Sequence, residues 1–222
     1  MILYQLAIYI TYILCYNIIL YFYIREMNAE NIDEVILRLH NDHNWKDIVN
    51  LSSVIDSSKN YRLFWVLPTL DDLSWMTEII KEYKILGIIS IGCGCGLIEW
   101  LLENFSGLNI TGLELDISWW RSKYAPPLFL ENIIFTNENK GNNFLVPKDH
   151  AVLFCYFNNG EAFCNYIANY EGNIIFVIGP AEDQERITDP LPFDEKFVKF
   201  NWKLLTKRPI MNFKDYIAVY TR

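Results

Sequence analysis

The chain has 222 residues, 52% of them hydrophobic and 21% charged, enough to bury a sizeable core in one compact domain and too apolar for a disordered chain. Its 19 basic residues against 27 acidic ones leave a net charge of −8, which repels a phosphate backbone and sets nucleic acid aside as a partner. The tightest basic cluster, Lys203, Lys207 and Arg208, is small and reads as a solvated face. The five cysteines (Cys15, Cys93, Cys95, Cys155 and Cys164) are odd in number in a chain too long to need staples, a pattern that favours reduced thiols and a cytoplasmic setting.

In chain order, Ile2 to Ile24 carry no charged side chain and are long enough to cross a bilayer as a helix. Residues 1–26 are therefore read as a hydrophobic N-terminal helix and a membrane anchor. Arg25 and Arg38 follow it and no basic residue precedes it, which places the remainder on the cytoplasmic side. A second reading stands beside this one. The Tyr-, Ile- and Asn-rich composition also suits translated non-coding sequence ahead of a start at Met27. The segment lacks the basic start and small-residue cleavage site of a secretory signal.

Residues 27–60 read as an N-terminal helical region. Ile32, Val35, Ile36 and Leu39 recur at helical spacing, as do Leu73, Trp75, Met76, Ile79 and Ile80 after Asp71-Asp72, and these two helices are expected to cover a sheet edge. His40 and His43 read as a polar helix face rather than a ligand pair. Between the helices "YRLFWVLP" (61–68) reads as a strand or an irregular lid.

From residue 85 apolar runs arrive at intervals: 85–91, 108–115, 132–136, 151–157 and 173–179. They lack polar alternation, as parallel strands covered on both faces should. Helical segments "GLIEWLLENF" and "EAFCNYIANY" fit between them. Two further strand-like runs, "FVKFNWKLLTKRPI" and "DYIAVYTR", stand too close for a crossover helix and should pair antiparallel. The expectation is an α/β domain over residues 61–222: a doubly wound, mostly parallel seven-stranded sheet, closed by an antiparallel C-terminal hairpin, with helices on both faces.

"ISIGCGCGLIEW" (89–100) then falls at the turn from the first strand into a helix, at the carboxyl end of the sheet where open α/β folds bind ligands. A dinucleotide fingerprint fails, because its last glycine position falls on Leu97, and a phosphate loop fails for want of Lys-Ser/Thr after Gly96. What remains is Gly92-x-Gly94-x-Gly96, with Glu114 ending the next strand. A carboxylate there accepts two hydrogen bonds from a ribose diol.

At these residues the sequence resembles the class I S-adenosylmethionine-dependent methyltransferases. "SIGCGCG" stands where the first motif of that family stands, and "ITGLELD" where its second strand and acid are expected. The resemblance implies S-adenosyl-L-methionine as cofactor, a glycine loop under its methionine part, and Glu114 as ribose acceptor. The cofactor-binding set is then Ser90, Gly92, Cys93, Gly94, Gly96, Glu114 and Leu115, with Asp116 as the alternative acid. The family usually has an acid two residues before the first glycine. Here Ser90 stands there, so a polar contact near the methionine end is weakened or supplied elsewhere.

Cys93 and Cys95 read as small fillers of a tight loop rather than metal ligands or a redox pair, and no metal site is expected. Trp119, Trp120, Arg121 and Tyr124 are candidates to wall the adenine or acceptor pocket, with core packing as their competing use. Asn158 and Asn159 stand where amino-group methyltransferases of the family carry their acceptor-binding motif. They are the catalytic candidates, against a plain turn and helix cap. Glu182, Asp183 and Asp189 lie in a long loop (179–193) and are candidates to orient an acceptor. The sequence names neither the general base nor the acceptor. A non-catalytic, membrane-tethered descendant of the fold is the runner-up reading, and a dinucleotide oxidoreductase stands behind it.

Overall fold

The computed structural model describes residues 29–56, 59–136, 144–181, 186, 188–210 and 214–222. The hydrophobic N-terminal segment, Glu182 and Asp183 lie outside the described residues. No helix among the described residues is long and apolar enough to cross a membrane.

The chain order is α1 (Ala29–Asn41), α2 (Trp45–Leu51), α3 (Leu70–Glu82), β1 (Gly87–Ile91), α4 (Leu97–Ser106), β2 (Asn109–Leu115), α5 (Ile117–Trp120), β3 (Ile133–Thr136), β4 (His150–Cys155), α6 (Gly160–Asn169), β5 (Ile174–Pro180), α7 (Lys196–Lys199), β6 (Lys203–Ile210) and β7 (Asp215–Thr221). Seven strands form one sheet in the order β3-β2-β1-β4-β5-β7-β6. Five pair in parallel, and β7 is inserted antiparallel between β5 and β6. This is the expected sheet, hairpin included.

The continuous apolar runs follow from burial on both faces. Along β1, Ile88 joins one buried cluster and Ile89 and Ile91 the other. The first cluster takes in α1 to α4 and the second α6 and α7. The helices α1 and α3 thus cover a face of the sheet rather than an edge, because Ile36, Leu73 and Met76 pack in one cluster with Ile88 and Leu153. The helical region expected over residues 27–60 also holds a second, short helix. The α2 helix, capped by Asn44 and burying Ile48, Val49 and Leu51, is too short to show a period. Residues 197–202, expected to begin a strand, instead make the end of α7 and a turn, since Phe197 and Trp202 both reach the core from a helical turn.

His40 is not a solvated face residue. Its ring meets Trp100 and Phe129 edge-on at 4.6 and 4.7 Å, and burial lowers its pKa. His43 is exposed in the turn after α1.

The α3 helix is fixed at its start by a capping box between Thr69 and Asp72. Asp72 is buried and also accepts from Arg208 Nε of β6 at 2.6 Å, tying the helix to the hairpin. Arg208→Ala is expected to cost about 2 kcal/mol in urea unfolding. That is in the range of a hydrogen bond to a charged group and at the low side for a pair whose arginine reaches solvent.

Candidate functional site

The strand order reverses at β1, which has β2 on one side and β4 on the other. A crevice therefore opens at the carboxyl end of β1, where the glycine loop sits. Gly92, Gly94 and Gly96 have φ of +66°, +62° and +77°, the left-handed region that only glycine enters without strain. The loop is fastened by Gly92 N–H to Leu113 O (2.8 Å) and Gly96 N–H to Cys93 O (3.0 Å). Their surroundings separate the three glycines. A Cβ on Gly92 would lie 2.7 Å from the Phe157 ring and one on Gly96 2.6 Å from Leu130 Cβ, whereas one on Gly94 meets nothing within 4 Å.

Glu114 reaches this loop. Its Oε1 accepts from Gly94 N–H at 2.7 Å and its Oε2 from Leu115 N–H at 2.9 Å. Each oxygen keeps a further lone pair. Asp116 is instead spent on the next turn, where it caps α5 through Trp119 N–H.

The cysteines pack. Cys93 is buried, and its Sγ occupies the space that a Cβ on Gly112 would need. The Cys95 thiol donates to Leu63 O at 3.1 Å. Burial raises the Cys93 and Cys155 thiols well above their usual range and Cys95 to about 12. All three stay protonated at neutral pH, the wrong state for metal binding or nucleophilic attack. Among the described residues no group of three or more His, Cys, Asp or Glu side chains is placed to hold a metal ion.

A cavity of about 190 Å³ opens beside the loop, lined by Gly92 to Cys95 and, from elsewhere, by Arg62, Trp65, Glu99, Trp120 and Tyr156. The segment 61–68 that closes it contains no strand; it is the irregular strap of the two sequence readings. Leu63, Phe64, Val66 and Leu67 anchor it in the core, and its contacts include the Cys95 thiol on Leu63 O, Arg186 Nη1 on Trp65 O (2.9 Å), the Trp65 ring stacked on Tyr156 at 5.7 Å, and the Arg62–Asp33 ion pair.

Two acids were missed by the sequence reading. Glu99, in the first turn of α4, is 2% exposed, lines the cavity and accepts from Ser90 Oγ at 2.6 Å. Burial raises its pKa to about 7. Its signal was an acid inside the apolar run "LIEWLL". Asp215, at the start of β7, is also 2% exposed. Its Oδ1 accepts from the Tyr156 hydroxyl at 2.7 Å, and its Oδ2 has no partner among the described residues. Burial lifts it to about 6 and holds the Tyr156 phenol above its usual range.

The acceptor-side candidates lie elsewhere. Asn159 is the N-cap of α6, its side chain accepting from Ala162 N–H at 3.0 Å, and the neighbouring Asn158 is exposed. Neither lines the cavity. The cap explains the Asn-Asn-Gly sequence without catalysis. Asp189 pairs with Lys196. Trp120 lines the cavity, while Trp119 and Tyr124 are exposed rather than core residues.

No family model matches the chain, and no curated protein matches it. Solved structures do. The methyltransferase domain of bacterial CtHen1 aligns with 69% of this chain and 100% of its own at 15% identity and a TM-score of 0.48. A SAM dependent methyltransferase from Archaeoglobus fulgidus aligns with 68% and 94% at 10% identity and 0.44. Precorrin-6y C5,15-methyltransferase from Geobacter metallireducens GS-15 aligns with 76% and 96% at 11% identity and 0.45. These neighbours are S-adenosylmethionine-dependent methyltransferases of the class I Rossmann-like fold. At such identities and scores the likeness adds no argument about activity, and the fold assignment rests on the strand order and the antiparallel β7 given above.

Proposed function

We propose that the chain is an S-adenosyl-L-methionine-dependent methyltransferase, and the observation that carries this reading is the cradle formed by Gly92, Gly94, Gly96 and Glu114 at the switch point of the sheet. The residues suit the cofactor. Gly94 leaves open space where a side chain would stand, Glu114 keeps acceptor lone pairs for a ribose, and Glu99 places a carboxyl group behind Ser90. The acid that the family's first motif carries on the strand is supplied here by α4, and it suits the ammonium group of a methionine moiety. This is the contact that Ser90 alone would leave weakened. The cavity of about 190 Å³ is below the ~300 Å³ at which drug-sized ligand sites begin, so it has to widen for the cofactor to bind.

When bound, the cofactor supplies a sulfonium methyl group to the lone pair of an acceptor. The chain's share is alignment, exclusion of water by the strap, and management of the acceptor's proton. Tyr156 lines the cavity, and its hydroxyl, which donates to Asp215 Oδ1 and accepts from Arg186, is our candidate to take that proton on its oxygen while passing its own to the Asp215 carboxylate.

Calorimetry tests the reading directly. The full chain is expected to bind S-adenosylmethionine and S-adenosylhomocysteine at one site and to show no binding of NAD or NADP. Absence of both S-adenosyl ligands would sink the cofactor claim, and tight dinucleotide binding would revive the oxidoreductase reading.

A further inference from the structure

The carboxyl end of β4 brings a strained residue into the cavity wall. Tyr156 stands at φ +50°, a backbone region that a bulky side chain enters only at a cost, and it lines the cavity. Behind it lies Asp215, 2% exposed, whose Oδ1 accepts from the Tyr156 hydroxyl at 2.7 Å and whose Oδ2 has no partner among the described residues. A buried carboxyl with a bare oxygen is kept at the expense of stability, which suits a proton sink better than a structural peg. The Tyr156 oxygen accepts from Arg186 Nη1 at 3.4 Å and keeps one further lone pair.

The rest of the lining narrows what that lone pair can meet. Phe64, Trp65 and Trp120 line the cavity beside Tyr156, and the Trp65 and Tyr156 rings stack 14° from parallel, a wall suited to a flat apolar body. Of the charged residues that line it, Arg62 pairs with Asp33 at 3.9 Å and Glu99 is an acid. With Asp215 behind Tyr156, this interior disfavours an anion. It disfavours an amine as well, because a neighbouring carboxylate holds the nitrogen as an ammonium, whose lone pair is occupied. A hydroxyl arrives neutral and becomes nucleophilic as its proton leaves.

We propose that the methyl acceptor is a neutral phenolic hydroxyl, which donates to the Tyr156 oxygen and yields its proton through Tyr156 to Asp215. This rests on the methyl-transfer reading and names the substrate class of that site. As the acceptor's oxygen bonds the methyl carbon, that carbon's bond to sulfur breaks and the electron pair stays on sulfur. The acceptor's proton moves to Tyr156 Oη and the Tyr156 proton to Asp215 Oδ1. A sulfonium and a carboxylate give way to a thioether and a carboxylic acid, so two opposite charges cancel inside the cavity. Tyr156 touches the acceptor and is the catalytic residue; Asp215 acts through it.

The probes share one ring: 4-methylphenol, 4-methylanisole, 4-methylbenzoate and 4-methylaniline. In calorimetry on the full chain, with and without saturating S-adenosylhomocysteine, the phenol is expected to bind roughly tenfold more tightly than the benzoate and than the anisole, which has no proton to donate. Tyr156→Phe, which keeps the ring against Trp65, is expected to level the phenol with the anisole. With saturating S-adenosylmethionine the chain is expected to convert 4-methylphenol to 4-methylanisole and to methylate the aniline roughly tenfold more slowly. Tyr156→Phe should lower kcat on the phenol roughly a hundredfold. The ionisable groups that face the pair are Arg186 and Cys155, and burial keeps the Cys155 thiol protonated. The kcat should therefore rise with pH as Asp215, lifted by burial to about 6, ionises, and then level off. Asp215→Asn is expected to remove that rise.

Equal binding of phenol and anisole, preference for the benzoate, faster methylation of the aniline, or a pH profile unmoved by Asp215→Asn overturns the proposal. So does binding of S-adenosylhomocysteine without methylation of the phenol, an outcome that leaves the methyl-transfer reading standing. Failure of S-adenosylhomocysteine to bind sinks that reading, whatever the phenol does.

Discussion

Gly94→Ala is expected to weaken S-adenosylhomocysteine binding by roughly ten- to a hundredfold with little loss of stability beyond backbone strain, and Gly96→Ala to do the reverse. Both residues have positive φ, so both variants carry the ~1–2 kcal/mol of a left-handed alanine. They differ in what the new methyl meets. At position 94 it enters open space in the cavity wall, where it obstructs a ligand and nothing else; overpacking of that kind costs about 1–3 kcal/mol, the fold-change given. At position 96 it lies 2.6 Å from Leu130 Cβ, so the clash is paid by the fold and the melting temperature should fall most. If the two variants lost binding and stability in the same proportion, the loop would be a structural turn and no cradle.

Glu99→Gln is expected to stabilise the ligand-free protein above neutral pH and to weaken cofactor binding at the same time. The folded-state pKa of about 7 stands above the ordinary value of 4.5, so the folded chain holds this proton more tightly than the unfolded one. The stability contributed is complete below pH ~4.5, declines as pH rises, and is gone above pH ~7. The difference amounts to about 3 kcal/mol. Glutamine keeps the hydrogen bond from Ser90 and carries no charge to bury, so at pH 8 the variant should melt roughly 6–12 °C higher. A cationic ligand group reverses the balance, because it favours the ionised carboxylate that the empty site resists. Melting and S-adenosylhomocysteine calorimetry at pH 5.5 and 8 check both halves. A variant that neither melts higher at pH 8 nor binds more weakly would remove Glu99 from the site.

The sheet was legible in the sequence because its strands are fully buried: Ile88, Ile89 and Ile91 face opposite clusters yet are all apolar, and such runs need no partner to be recognised. The glycine loop was legible because positive φ restricts residue type at the positions themselves. Glu99 was not, since it reaches Ser90 only after the chain turns through the loop into α4. Tyr156 and Asp215 are 59 positions apart, and only the antiparallel register that sets Asp215 opposite Pro180 brings them together. The "FVKFNW" stretch fits a two-residue or a helical period equally well. The burial of Phe197 and Trp202 in one cluster decides it, and that is a tertiary fact.

The outer hairpin strand β6 ends the sheet, and an end strand is an open template on which a second chain can polymerise. This one is spoiled for that use. Pro209 has no N–H to offer, the register slips between Leu204 and Thr206, and Lys203 and Lys207 stand exposed along it. Leu204 and Leu205 are left uncovered at 45% and 38% exposure between those lysines, so two copies meeting edge to edge would press like charges together before their leucines could touch. Basic residues that looked too few to hold a nucleic acid thus serve as gatekeepers against aggregation.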